Sequence, residues 1–207
     1  MKLFYKAGAC ALAPHIVLAE LNMAYELEAV DLATKACTSG DFRKINPKGS
    51  VPALLMDNGE ILTEAAVICQ YLAEQDIDST LMPKIGTIDR YRTIEWLNFI
   101  ATEIHKGIGP FFGLDRMMKN AEGKEEYKAS ALEILKAKLG FVSEKLGTNK
   151  YLLGDTFTVA DAYLFTCLGW GKFIGLDVNA WTNISDYQKR ISERPGVQRA
   201  LKEEGLI

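Results

Sequence analysis

The chain has 207 residues, 48% of them hydrophobic and 25% charged, the balance of an ordinary globular protein with room for one long domain or two compact ones. A net charge of −3 offers no electrostatic footprint for nucleic acid or an anionic membrane surface, so any anion bound here must be held by local donors. No stretch reaches the roughly 18 apolar residues of a membrane span, and "MKLFYKAGAC" has neither a long apolar run nor a cleavage site, so a cytoplasmic protein is expected.

"KLFY" reads as a strand ending before Gly8. From Ala11 to Leu21 apolar residues recur at helical spacing, with Pro14 in the first turn, where a missing N–H costs little. "YELEAVDL" alternates as a second strand, and residues 33–50 are polar and turn-rich, predicting a long irregular connection. Ala53–Met56 and Glu60–Leu62 flank Asp57-Asn58-Gly59, a hairpin signature, and an amphipathic helix follows from about Glu64 to Glu74. This order predicts a mixed four-stranded sheet with a right-handed parallel crossover. Past "DSTLMPKIG" the period is helical throughout, over roughly 87–118, 124–146, 159–173 and 184–203. The expected division is an α/β domain over 1–80 and an all-helical domain over 87–207.

Cys10 stands at the entrance of the first helix, where unpaired N–H groups and the helix dipole lower a thiol pKa; a small buried hydrophobe is the alternative reading. Ala13 occupies the place of a resolving cysteine, so a working Cys10 needs an external thiol. Cys37, Cys69 and Cys167 lie apart from it, and with only His15 and His105 no metal site is expected. Val51-Pro52 opens the third strand, either as a plain strand start or as a cis bond that leaves the Val51 backbone free for an extended peptide. Thr63 and Glu64 precede a helix whose first N–H, at Ala65, would receive a carboxylate, although capping alone accounts for both residues. Asn98, Thr102 and His105 form a polar stripe at i, i+4, i+7 with Lys106 at its margin; on spacing alone a solvated helix face is the better account. Thr158 and Asp161 have capping-box spacing, and Thr158→Ala is expected to cost about 1 kcal/mol of stability.

Together, "MKLFYKAGAC", "NPKGSVPALL", "LTEAAVICQYLA", "RYRTIEWLNFIATEIHKG", "FTVADAYLF" and "ERPGVQRAL" resemble the beta-class (bacterial) cytosolic glutathione S-transferases along the whole length, and the pairing of an N-terminal cysteine with "TEIHKG" is specific to that class. The resemblance implies a thioredoxin-like domain joined to a helical bundle, a homodimer, and glutathione as cosubstrate with no bound cofactor. The expected activity is detoxifying conjugation of glutathione to a small apolar electrophile held by the helical domain. The alternatives are a thiol transferase or peroxidase working through a Cys10–glutathione disulfide, and a non-catalytic binding protein.

By the same resemblance Cys10 faces the glutathione sulfur, with His105 and Lys106 as electropositive helpers. Lys35 lies near the glycyl end and Val51, before Pro52, pairs with the cysteinyl moiety. Glu64 and Ala65 hold the γ-glutamyl group, and Asn98, Thr102, Glu103 and His105 come from the helical domain, some across the dimer. Glu103 points away from the Asn98 stripe by helical phase, a conflict that a contact across the dimer would remove. Two positions depart from the family: Ala11 and Ala65 stand where serine is frequent. The second implies loss of a hydrogen bond to a carboxylate, worth roughly 1.5–3 kcal/mol.

Overall fold

The computed structural model describes residues 1–207. Strand β1 (Lys2–Tyr5) leads through α1 (Leu12–Glu20) to β2 (Glu26–Ala29), which pairs with it in parallel. The stretch expected to be irregular carries a small hairpin of β3 (Ala36–Cys37) and β4 (Gly40–Asp41), then a 3-10 turn at Phe42–Lys44. β5 (Ala53–Leu55) and β6 (Ile61–Thr63) complete an antiparallel edge, giving the order β2-β1-β5-β6. This is the mixed four-stranded sheet expected from the strand and hairpin signals. Gly59, at φ +86°, supplies the left-handed residue of the β5–β6 turn.

Helix α2 (Ala65–Ala73) ends this half, and every later element is helical. The expected single helix over 87–118 is instead broken. α3 (Ile88–Phe99) passes into a π-helical turn at Ile100–His105, the single turn of α4 (Lys106–Ile108), a 3-10 segment at Gly109–Gly113 and α5 (Leu114–Met117). α6 (Ala121–Leu146) starts three residues before the expected position because Asn120 caps it, accepting from the Glu122 N–H at 3.0 Å. α7 (Val159–Leu168) and α8 (Gly171–Ile174) divide the expected 159–173 segment. The expected 184–203 helix is two helices, α9 (Thr182–Ser192) and α10 (Pro195–Glu203). The break has a local cause: Arg194 precedes a proline and is driven to extended backbone, φ −68° and ψ 137°, while Pro195 suits the first helical turn.

The eight residues Leu12–Ala19 are all buried, so α1 is a core helix rather than a surface one. It packs against α2, α7 and α10. One apolar core runs through both halves, with Leu3, Ile16, Ile68 and Leu72 meeting Ile104, Leu139, Leu164 and Tyr187. A smaller cluster of Phe4, Ala11, Val30, Phe42, Val51 and Ala53 seats the loop before β5.

Glu28, buried on β2, ties down the hairpin that follows it. It accepts from the Ser39 N–H at 2.6 Å, the Ser39 hydroxyl at 2.8 Å and Lys2 Nζ at 3.1 Å. Burial opposes its charge, yet these donors outweigh burial and hold its pKa down to about 2. A carboxylate depressed in the fold stabilises above its unfolded pKa of about 4.3 and loses that contribution as pH falls toward 2. Glu28→Gln is therefore expected to cost about 2–3 kcal/mol at pH 7 and progressively less below pH 4. Urea titrations of both proteins at pH 7 and pH 3 measure this; a pH-independent difference would refute it.

Candidate active site

The loop between β1 and α1 carries Gly8 at φ +71° and Cys10 two residues later. Cys10 is part-buried, and its Sγ donates to the Val51 carbonyl at 3.2 Å. The Val51-Pro52 bond is cis. The expectation of a lowered thiol pKa is corrected here. Burial pushes the Cys10 pKa up to about 11, overcoming the backbone N–H groups of Cys10 and Ala11, and the Glu64 charge adds to the rise. Cys10 is thus a protonated thiol at neutral pH. At this helix entrance the desolvation of the thiol outweighs the favourable field of the helix dipole.

Across from the thiol, α2 begins at Ala65 with Glu64 as N-cap, and the Glu64 side chain caps nothing. Thr63 does not cap either, because it lies in β6 and its hydroxyl accepts from Lys48 Nζ at 2.9 Å. The same Lys48 Nζ meets Glu64 Oε1 at 2.5 Å. Capping therefore does not account for these residues, and the first N–H groups of α2 have no intrahelical partner. Glu64 sits at φ 73°, ψ 115°, an uncommon conformation for a residue with a Cβ and of the kind found at functional sites. Lys35 is also at positive φ, 64°, and its Nζ donates to the Gly49 carbonyl at 2.8 Å. Lys48 was missed by sequence reasoning; it lies in the polar stretch, beside the positive-φ Gly49, with no periodicity to mark it.

The helical half contributes a wall. His105 Nδ1 lies 2.6 Å from the Tyr163 hydroxyl, and its ring packs edge-on against Trp170 with centroids 4.9 Å apart. Trp170 Nε1 donates to the Gly8 carbonyl at 2.7 Å, so this wall is fastened to the loop that carries Cys10. Burial lowers the His105 pKa, Lys106 lowers it further, and Glu64 opposes them. His105 is therefore a neutral ring rather than the cationic helper expected. Gly8 is held from its other side too: its N–H donates to Glu204 Oε2 at 2.8 Å. Tyr163 and Glu204 carried no sequence signal, being 58 and 196 residues from their partners.

The expected polar stripe does not hold together. A row at i, i+4, i+7 assumes a uniform helix, and the π turn at 100–105 changes the phase between Asn98 and His105. Asn98 and Thr102 stay exposed and bond only within their own helix, Asn98 to the Ile94 carbonyl and Thr102 to the Asn98 carbonyl. Glu103 is engaged elsewhere, in an ion pair with Lys138 of α6. Lys106 is exposed and makes no ion pair or side-chain hydrogen bond. Within one chain, Cys10 bonds the Val51 carbonyl before the cis Pro52, Lys48 ties Glu64 at the start of α2, and Trp170 links His105 to the loop that carries Cys10.

Comparison with known proteins agrees with this architecture. A family described as "Glutathione S-transferase, N-terminal domain" matches residues 7–75, and "Glutathione S-transferase, C-terminal domain" matches residues 99–195. The glutathione S-transferase GstA of Escherichia coli O157:H7 is 47% identical over the full length of both chains. A bacterial beta-class glutathione S-transferase from Sphingomonas chungbukensis superposes with a TM-score of 0.91 at 43% identity, covering 100% of both chains. A sphingomonad glutathione S-transferase complexed with glutathione gives a TM-score of 0.91 at 41% identity with the same coverage.

Proposed function

Since the chain belongs to the beta-class glutathione S-transferase family, with glutathione as its cosubstrate, we propose that its cleft joins the glutathione thiol to a small apolar electrophile, with Cys10 as hydrogen-bond donor to the reacting sulfur. The observation that carries this reading is the Cys10 Sγ donating to the Val51 carbonyl at 3.2 Å. That carbonyl is the acceptor an extended peptide would use beside Pro52. Glutathione entering there presents its cysteinyl N–H to Val51, and the displaced Cys10 S–H turns to the glutathione sulfur. A hydrogen bond to that sulfur favours its thiolate. The thiolate then attacks the electrophilic carbon: the C–S bond forms, the leaving group departs with its electron pair, and the thiol proton passes to water.

Glu64 and the Ala65 N–H receive the γ-glutamyl ammonium and carboxylate, and Lys35 takes the glycyl carboxylate. His105, held by Tyr163, closes the sulfur side, with Lys106 beside it. Asn98, Thr102 and Glu103 face away from this cleft, so their part in it is a contact across a homodimer, which sedimentation of the purified protein tests. The domain division at 80–86 and a cytoplasmic location complete the reading; no helix is long and apolar enough to cross a membrane.

The thiol-transfer alternative requires Cys10 to attack a disulfide as thiolate, which a pKa of about 11 disfavours. Cys10→Ala is expected to lower kcat/KM for conjugation by about 10–100-fold, the range of a hydrogen bond to a charged atom. Wild type treated with oxidised glutathione is expected to gain no reducible adduct by mass spectrometry. An adduct absent from Cys10→Ala, together with conjugation retained in that variant, would overturn the reading in favour of thiol transfer.

A further inference from the structure

We propose that Tyr163 is a positioning residue for conjugation: its hydroxyl donates to His105 Nδ1 and holds the imidazole in the tautomer whose Nε2–H is free to meet the glutathione sulfur. The inference rests on the conjugation reading above. The assignment follows from counting donors and acceptors. Tyr163 is 3% exposed, and its hydroxyl makes one hydrogen bond, the 2.6 Å contact with His105 Nδ1. Burial pushes its pKa above the ordinary phenol range, so it keeps its proton. A buried O–H needs an acceptor, and His105 Nδ1 is the one it meets. The His105 ring is neutral, so it has one N–H and one bare nitrogen. With the bare nitrogen turned to Tyr163, the proton sits on Nε2. The reverse arrangement, Nδ1–H donating to the phenol oxygen, leaves the Tyr163 O–H buried with nothing to bond.

Nε2 is the unused end of the ring. It makes no hydrogen bond within the chain, and no side-chain nitrogen or oxygen is both buried and without a partner, so Nε2 lies where a bound molecule reaches it. The ring itself is held firmly. Tyr163 meets it edge-on, ring centroids 5.8 Å apart, and Trp170 packs on it at 4.9 Å while bonding the carbonyl of Gly8, two residues before Cys10. His105 ends the π turn at Ile100–His105, a local irregularity that recurs at functional sites. Glu64 raises the pKa of both His105 and Tyr163, and Cys10 raises that of Tyr163, so the pair shares its surroundings with the thiol and the start of α2. The tautomer decides the sign of what His105 does. An N–H turned to the sulfur bonds more strongly as negative charge gathers there, and it favours the thiolate without giving up its proton. A lone pair turned the same way repels that charge.

The test reads the tautomer directly. The chain has two histidines, so the imidazole nitrogens of 15N-labelled protein give few NMR signals, and those lost in His105→Asn belong to His105. Wild type near neutral pH is expected to show a protonated Nε2 and a bare Nδ1. Tyr163→Phe, which removes one oxygen, is expected to give a mixture of tautomers. It should also lower kcat/KM for glutathione with 1-chloro-2,4-dinitrobenzene about three- to tenfold. Its affinity for S-methylglutathione, which keeps the peptide but has no thiol to ionise, should hold. Loss of S-methylglutathione binding together with turnover shows a structural role only and overturns the proposal. A protonated Nδ1 in wild type overturns it as well, as does unchanged turnover in Tyr163→Phe; both leave conjugation standing. Wild type that shows the Nε2–H tautomer yet conjugates neither aryl nor benzyl halides overturns the conjugation reading, and the proposal falls with it.

Discussion

Glu204→Ala is expected to lose about 3–5 kcal/mol of stability and at least tenfold in conjugation kcat/KM, although the residue lies almost at the end of the chain. Glu204 is a buried carboxylate that accepts from the Gly8 N–H at 2.8 Å through one oxygen and lies 3.0 Å from His15 Nδ1 through the other. His15 is fully buried, and its Nε2 meets Glu203 Oε2 at 2.8 Å. Both ring nitrogens of His15 thus face carboxylate oxygens in the buried interior. Removing Glu204 leaves the buried His15 ring without its Nδ1 partner and the Gly8 N–H with none. The stability loss is the penalty of a broken buried pair.

The activity loss follows from a second hydrogen bond on the same residue, Trp170 Nε1 to the Gly8 carbonyl. Gly8 is gripped by Glu204, just past the end of α10, through its N–H and by Trp170 through its C=O, and it belongs to the loop that carries Cys10. Glu204→Gln keeps an oxygen acceptor for Gly8 while removing the charge beside His15. It should therefore retain more activity than stability, whereas Glu204→Ala loses both. Urea unfolding and steady-state conjugation of the two variants measure this, and a stability change under about 1 kcal/mol in Glu204→Ala would refute the buried-pair account.

The parts of the fold legible in sequence are those set by local pattern. The alternation around β1 and β2, the Asn58-Gly59 turn and the apolar spacing of α1 and α2 each determine an element from a window of about ten residues, and their order determines the sheet. The breaks were less legible for two different reasons. Pro195 separates α9 from α10, but the apolar period runs through it on both sides and hides the break. At 100–105 no glycine or proline marks the π turn; it is set by packing against α6 and α7, which sequence does not display. The site divides in the same way. Cys10, Val51, Glu64 and His105 were recognisable by type and place. Their protonation was not, because it follows from burial, which is set by residues distant in sequence such as Tyr163 and Trp170 around His105.

Asp161→Ala is expected to cost about 4 kcal/mol, several times the roughly 1 kcal/mol expected for Thr158→Ala at the other end of the same capping box. Both belong to the motif that opens α7, but they hold unequal shares of it. Asp161 is fully buried and accepts from the Thr158 N–H at 2.8 Å, the Thr158 hydroxyl at 2.9 Å, the Leu152 N–H at 2.9 Å and the Tyr187 hydroxyl at 3.0 Å. Alanine there removes the carboxylate from four donors, leaving the Tyr187 hydroxyl only the Asp161 carbonyl at 3.5 Å. Alanine at 158 removes one donor, and the Thr158 N–H keeps its carboxylate. Because Leu152 lies before α7 and Tyr187 on α9, Asp161 joins three segments of the helical half where a simple cap would serve one. The consequence reaches the cleft two residues further on, since Tyr163 of the same helix pins His105. Asp161→Ala should therefore lower conjugation at temperatures well below its own unfolding, while Thr158→Ala should leave it unchanged. Thermal unfolding and activity of the two variants at 20 °C decide the matter: equal destabilisation by both would show that Asp161 acts as a cap and nothing more.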